Sequence, residues 1–62
     1  MILNQRGYSV YMIDNEGREQ NAGPYSNIAM AHLVGLEWIN AIRNFKECYI
    51  YDNETKEILY KF

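Results

Sequence analysis

Two side chains in this sequence could do chemistry near neutral pH, the imidazole of His32 and the thiol of Cys48, and each is the single residue of its type. A general base needs a group that orients it, and a thiol nucleophile needs a base within hydrogen-bonding distance. His32 has no carboxylate three or four residues away. Cys48 falls in a run typical of a strand, where a buried thiol usually behaves as a small apolar side chain. We therefore expect an ordinary surface or boundary histidine and an inert core cysteine.

The remaining candidate chemistries are also missing. Six of the eight carboxylates fall into two groups beside predicted turns: Asp14, Glu16 and Glu19, and Asp52, Glu54 and Glu57. A structural zinc site wants four ligands, and one histidine and one cysteine are the only soft ligands available. The four glycines are scattered, so no phosphate-binding loop is formed. The sequence predicts a non-enzymatic protein with no catalytic residue, no cofactor and no metal.

The elements that would position any site must fit into a single domain, residues 1–62. A core of this size rarely supplies more than about 3–5 kcal/mol without a disulfide, a metal or a partner subunit. A lone cysteine excludes an internal disulfide, which leaves self-association and predicts a homodimer. The net charge of −2 is too small to steer a partner strongly. No run is apolar enough to span a bilayer, and the segment 1–6 does not resemble a signal peptide, so we expect a cytoplasmic protein without membrane contact.

Hydrophobic periodicity predicts an α+β fold, a small antiparallel sheet in ββαββ order with one helix packed on one face. A first hairpin has one strand over Gly7–Ile13, a turn at Asp14–Gly17 and a weak polar edge strand over Arg18–Ala22, which Gly23-Pro24 should end. Ser26 is the predicted N-cap of a helix over Asn27–Asn44. A second hairpin pairs Glu47–Tyr51 with Glu57–Phe62, and Lys56 or a neighbour should adopt a left-handed conformation in its turn.

Alternation along the strands decides which side chains the helix can cover. The side chains predicted to face the helix are Ile58, Tyr60 and Phe62 of the last strand, Tyr8, Val10 and Met12 of the first, and Cys48 and Ile50 of the third. The uncovered sheet face then carries Tyr11, Ile13, Tyr49, Tyr51 and Leu59. On the helix, Leu33 and Leu36 break an otherwise polar outer side beside Ala29 and Asn40. These two sets are the predicted partner or dimer interface, because exposed tyrosine and leucine clusters are typical of contact surfaces.

The predicted function is therefore that of a protein-binding module, a homodimer that acts as a small inhibitor or adaptor of an unidentified partner protein. Short acidic proteins of this kind include those that viruses or mobile elements direct against host machinery. One alternative is a self-assembling structural component whose partner is itself. A nucleic-acid-binding protein or a DNA mimic is a further alternative, but six Lys and Arg among eight acidic residues build neither a basic groove nor a dense acidic array.

Overall fold

The computed structural model describes residues 6–62, which fold as a four-stranded antiparallel sheet with one helix on one of its faces. The elements in chain order are β1 (Tyr8–Asp14), β2 (Glu19–Tyr25), α1 (Ile28–Ala41), β3 (Phe45–Asp52) and β4 (Glu57–Lys61). The strands lie in the order β2-β1-β3-β4, so that β1 and β3 are central. The predicted α+β class and ββαββ order are confirmed.

The turn of the first hairpin forms around the carboxylate of Asp14. Its Oδ1 accepts hydrogen bonds from the backbone N–H groups of Glu16 and Arg18, both at 2.9 Å. Gly17 adopts φ 84°, a left-handed conformation that glycine tolerates without a steric cost. This turn is the one that the sequence predicts, because aspartate and glycine occupy the positions where their backbone preferences are needed.

The second strand is longer than predicted. β2 continues through Gly23 and Pro24 to Tyr25, which pairs with Tyr8. The register shifts between Tyr8 and Val10, because this stretch of β2 carries an extra residue. Proline is tolerated here since β2 is an edge strand, where an N–H that faces outward has no ladder partner to lose. The prediction that Gly23-Pro24 ends the strand is wrong.

The helix begins one residue later and ends three residues earlier than predicted. Asn27, and not Ser26, is the N-cap, and its side chain accepts a hydrogen bond of 2.9 Å from the backbone N–H of Met30. Both residue types cap helices well, so the choice between neighbours depends on the backbone. At the other end, Ile42 is already extended, because the chain must return to the sheet where Phe45 pairs with Asp14.

The core lies between α1 and the two central strands. Five apolar side chains are fully buried there: Val10, Met12, Ala31, Cys48 and Ile50. Ala31 and Gly35 are the buried residues of α1, and the half-buried Val34, Trp38 and Ile39 also pack against the core. The ring of Phe62 lies directly over Gly35 and occupies the space that a Cβ would take.

The second hairpin contains the predicted left-handed residue, since Lys56 has φ 65°. β4 then carries a bulge, because Ile50 pairs with Tyr60 whereas Tyr51 pairs with Ile58, which leaves Leu59 without a partner. Paired residues share a sheet face. Ile58 therefore lies on the same face as Tyr51, away from α1, and the prediction that it faces the helix is wrong. Strict alternation fails at a bulge, which inserts one extra residue.

Candidate protein-binding surfaces

Three tyrosines form a cluster on the side of the sheet that α1 does not cover. Tyr11 alternates with the buried Val10 and Met12, and Tyr49 and Tyr51 alternate with the buried Cys48 and Ile50. Successive side chains of a strand point to opposite faces, so all three phenols point away from the helix. We call the surface formed by Tyr11, Ile13, Tyr49 and Tyr51 the tyrosine face.

The rings of the tyrosine face contact one another across the two central strands. Tyr11 and Tyr49 are direct register partners, and their rings are nearly parallel, with centroids 5.5 Å apart and planes at 14°. Tyr51 meets Tyr11 edge-on, with centroids 5.6 Å apart. Both geometries are favourable for aromatic pairs. The mutual packing leaves each of the three side chains half-buried without any cover from another layer.

Two carboxylates lie at one end of the tyrosine face, and one ammonium group lies beside it. Ile13 pairs with Glu19 on one neighbouring strand and with Glu47 on the other, so the two carboxylates flank it on the same side of the sheet. Lys61 pairs with Tyr49 and lies 3.7 Å from the carboxylate of Glu47. Two acids and one base give this surface a formal charge of −1.

The electrostatic field of this surface acts on Tyr49. Desolvation raises the pKa of its phenol above the usual 10.0, and the negative charges of Glu19 and Glu47 raise it further. Both effects oppose ionisation, because partial burial penalises a phenolate and the carboxylates repel it. Tyr49 therefore stays a neutral aromatic ring with a hydrogen-bonding tip.

At the opposite end, the tyrosine face is closed by a buried polar pair. Ser9 is the register partner of Tyr51, and its Oγ accepts a hydrogen bond of 2.9 Å from the side-chain amide of Asn53. Both residues are buried. Ile58 completes the row beside Tyr51, while Leu59 is exposed at the bulge, where no register partner assigns it to a face. Of the five residues predicted for this face, the structure gathers four and leaves Leu59 at the sheet edge.

The outer side of α1 is the second candidate surface. The predicted residues Leu33 and Leu36 are 62% and 37% exposed. Together with Ala29 and Asn40, which are also exposed, they form what we call the helix stripe. Ile28 and Met30 are exposed as well, and Glu37 is the only charged residue among the 14 of α1.

The two surfaces lie on opposite sides of the domain. The helix stripe points away from the sheet, and the tyrosine face points away from the helix, with the core between them. No single flat partner surface could contact both at once. The residues predicted for an interface therefore lie on two separate surfaces.

His32 and Cys48 have the surroundings of structural residues. The imidazole of His32 packs against the rings of Tyr60 and Phe62, and both centroid distances are 5.2 Å. Periodicity along the helix did not predict this cluster. The only indication in the sequence was the prediction that Tyr60 and Phe62 face the helix that carries His32. Burial raises the pKa of the Cys48 thiol, so less of the reactive thiolate forms.

Other features of residues 6–62 add no reactive group. An open cleft of about 450 Å³ lies between the first turn and the segment that follows α1. Its charged residues already pair, since Arg18 Nε lies 3.0 Å from Asp14 and Arg18 Nη2 lies 2.7 Å from Glu16. Within the same residues, no three metal-ligating side chains come together. Residues 6–62 contain no helix that is both long enough and apolar enough to cross a membrane.

Comparison with known proteins finds no match to this chain, whether among family models, curated sequences or solved structures. The two surfaces themselves are therefore the basis for inferring a function.

Proposed function

We propose that this chain is a non-enzymatic protein-binding module that self-associates through the helix stripe and offers the tyrosine face to a second protein, as a small inhibitor or adaptor. One observation carries the proposal: α1 is apolar around nearly its whole circumference, although the sheet covers only one side of it. A helix of this composition is normally buried on all sides.

The thin core gives a thermodynamic reason for self-association. Five apolar side chains are fully buried in residues 6–62, and two central strands supply four of them. Small domains with so little core usually gain stability from a disulfide, a metal or a partner. The single cysteine is buried, and the described residues group no metal ligands. A second copy of the chain would bury the apolar side chains that α1 leaves exposed.

The spacing of the helix stripe suits pairing between two copies of α1. Its residues follow one another at intervals of four, three and four, which is the pattern of core positions in helices that pack as coiled coils. In an antiparallel pair, Leu33 of each copy would lie against Leu36 of the other. Asn40 at the end of the stripe would restrict the register, as a polar residue at a core position does.

Light scattering coupled to size exclusion, measured over a dilution series, tests this proposal. The unaltered chain should have the mass of a dimer at high concentration. The variant Leu33→Glu/Leu36→Glu should be a folded monomer, because four carboxylates would otherwise be brought into one apolar contact. Asn15→Glu/Asn44→Glu is a charge-matched control at exposed positions away from the helix stripe, and it should remain dimeric. A strict monomer at high concentration would refute self-association.

The tyrosine face favours a second protein as its partner. Tyrosine is enriched at positions that dominate binding energies, because its ring buries a large area while its hydroxyl keeps a hydrogen bond. Glu19 and Glu47 at its edge disfavour a nucleic acid, whose phosphates they would repel.

A self-assembling structural protein is the second candidate function, and the placement of the two surfaces on opposite sides supports it. A copy that used both surfaces at once could join an open chain of copies. The same dilution series distinguishes the two candidates, because an assembly grows beyond a dimer with concentration, whereas a dimeric binding module does not.

A further inference from the structure

We propose that the tyrosine face binds an arginine side chain of the partner protein, with its guanidinium stacked on the Tyr11–Tyr49 ring pair and its donors directed to Glu19 and Glu47. This inference rests on the proposed function in one respect only, that the tyrosine face is a partner-binding surface. It adds the chemistry of the partner.

The aromatic part of the surface suits a flat cation. Tyr11 and Tyr49 are stacked with their planes only 14° apart, and Tyr51 meets Tyr11 in an edge-to-face arrangement. The negative face of an aromatic ring attracts a cation within about 6 Å of its centroid. Because the two rings are stacked, with centroids 5.5 Å apart, Tyr49 keeps one ring face that Tyr11 does not cover, and a planar cation can continue the stack there.

The carboxylates supply charge complementarity at the end of the same face. Glu19 and Glu47 flank Ile13 in the sheet register, one row of side chains away from Tyr11 and Tyr49, and their negative charges raise the pKa of the Tyr49 phenol. Glu47 forms an ion pair with Lys61, which partly neutralises its charge, while Glu19 forms no ion pair with any of residues 6–62. The face thus keeps an unneutralised negative charge beside an aromatic platform. A cationic group is the ligand that meets both requirements.

Arginine fits this arrangement better than lysine does. The guanidinium is planar and weakly hydrated, so it stacks on aromatic rings at a smaller desolvation cost than an ammonium. Its five N–H donors also reach carboxylates while the plane stays on a ring. The apolar stem of the arginine would lie over Ile13, which separates the two glutamates.

An NMR titration with N-acetyl-arginine N-methylamide tests the inference on the intact chain. We expect saturable shifts centred on the ring signals of Tyr11, Tyr49 and Tyr51, with a dissociation constant on the order of millimolar. The corresponding citrulline derivative, which has the same shape without the charge, should cause no saturable shift. The lysine derivative should bind more weakly than the arginine derivative.

Substitutions separate the contributions of the carboxylates and of the aromatic rings to the affinity for arginine. Glu19→Gln/Glu47→Gln should weaken arginine binding about fivefold or more, as expected for two partly exposed ion pairs. Glu37→Gln/Glu57→Gln removes the same charge elsewhere and should change the affinity less than about twofold, since distant exposed charges are screened. Tyr49→Leu should abolish the saturable shift while the backbone spectrum stays folded.

Besides the absence of any saturable shift with the arginine derivative, three results would overturn the inference. The first is an equal response to citrulline, and the second is full affinity in Glu19→Gln/Glu47→Gln. The third is salt-sensitive binding of a labelled single-stranded DNA oligonucleotide at the tyrosine face, which would assign that face to nucleic acid. The oligomeric state is measured separately by light scattering. A dimer that ignores arginine therefore refutes this inference alone, and a monomer that binds arginine refutes self-association alone.

Discussion

The contact between Gly35 and Phe62 allows a quantitative test of how α1 is held to the sheet. A Cβ added at Gly35 would fall inside the ring of Phe62, so Gly35→Ala must displace that ring. In the helix interior, alanine is otherwise preferred over glycine by about 1 kcal/mol. The two effects oppose each other, and their balance depends on whether Phe62 is present.

The magnitude follows from the burial of Phe62. Full burial of a phenylalanine contributes about 1.5–3 kcal/mol, and Phe62 is only half-buried, so its displacement costs about 1 kcal/mol. Gly35→Ala should then leave the free energy of unfolding nearly unchanged in the unaltered chain. In a Phe62→Ala background the ring is gone, and Gly35→Ala should stabilise the fold by about 1 kcal/mol. The expected coupling between the two sites is about 1 kcal/mol.

Urea denaturation of the four proteins of this cycle, followed by far-UV circular dichroism, measures the coupling. All samples must be compared at one protein concentration, because dimerisation would contribute to the measured stability. Glu37→Ala in both backgrounds is the control, since Glu37 is exposed and its effect should be the same with or without Phe62. An equal stabilisation by Gly35→Ala in both backgrounds would refute the close contact.

Three further predictions concern local structure. Asn27→Ala should destabilise the fold by about 1 kcal/mol, whereas Ser26→Ala should have little effect, because Asn27 is the residue that caps α1. Ser9→Ala should cost about 1–3 kcal/mol in urea denaturation, since it leaves the buried amide of Asn53 without its acceptor. The pKa of Asp14 is lowered from 3.8, first by the hydrogen bond from the Arg18 backbone N–H, and the other hydrogen bonds and the guanidinium lower it further. The ionised form is thus favoured in the folded state, and the resulting stability is present above pH 3.8 and lost as the pH falls through the lowered value. Stability measured from neutral to acidic pH should show this loss in the unaltered chain and not in Asp14→Asn.

Each of these predictions has an outcome that contradicts it. Equal effects of Asn27→Ala and Ser26→Ala would mean that the helix start is not the one described. A loss well below 1 kcal/mol for Ser9→Ala would show that Asn53 finds another partner or water. The third prediction fails if the free energies of unfolding of Asp14→Asn and the unaltered chain differ by the same amount at neutral and acidic pH. Folding would then leave the pKa of Asp14 unchanged.

Local conformational preferences in the sequence were sufficient to predict the order of the helix and strands and the positions of both turns. Aspartate and glycine at 14–17 determine the first turn because one supplies a side-chain acceptor and the other a left-handed backbone. Period-two alternation also separated Val10, Met12, Cys48 and Ile50 from the tyrosines, and the structure places these four in the core. The interface role of the tyrosine face and of the helix stripe stays a prediction.

The tertiary structure alone decided the features that depend on pairing between distant segments. The bulge that places Ile58 beside Tyr51 arises from the fit of β4 to β3, and α1 ends at Ala41 because Phe45 must pair with Asp14. The juxtaposition of His32 with Tyr60 and Phe62 likewise needs the helix and the last strand to be in place. Backbone propensity and alternation are properties of neighbouring residues, so they determine what each segment forms. Register and close packing are settled only when segments far apart in the chain compete for the same space.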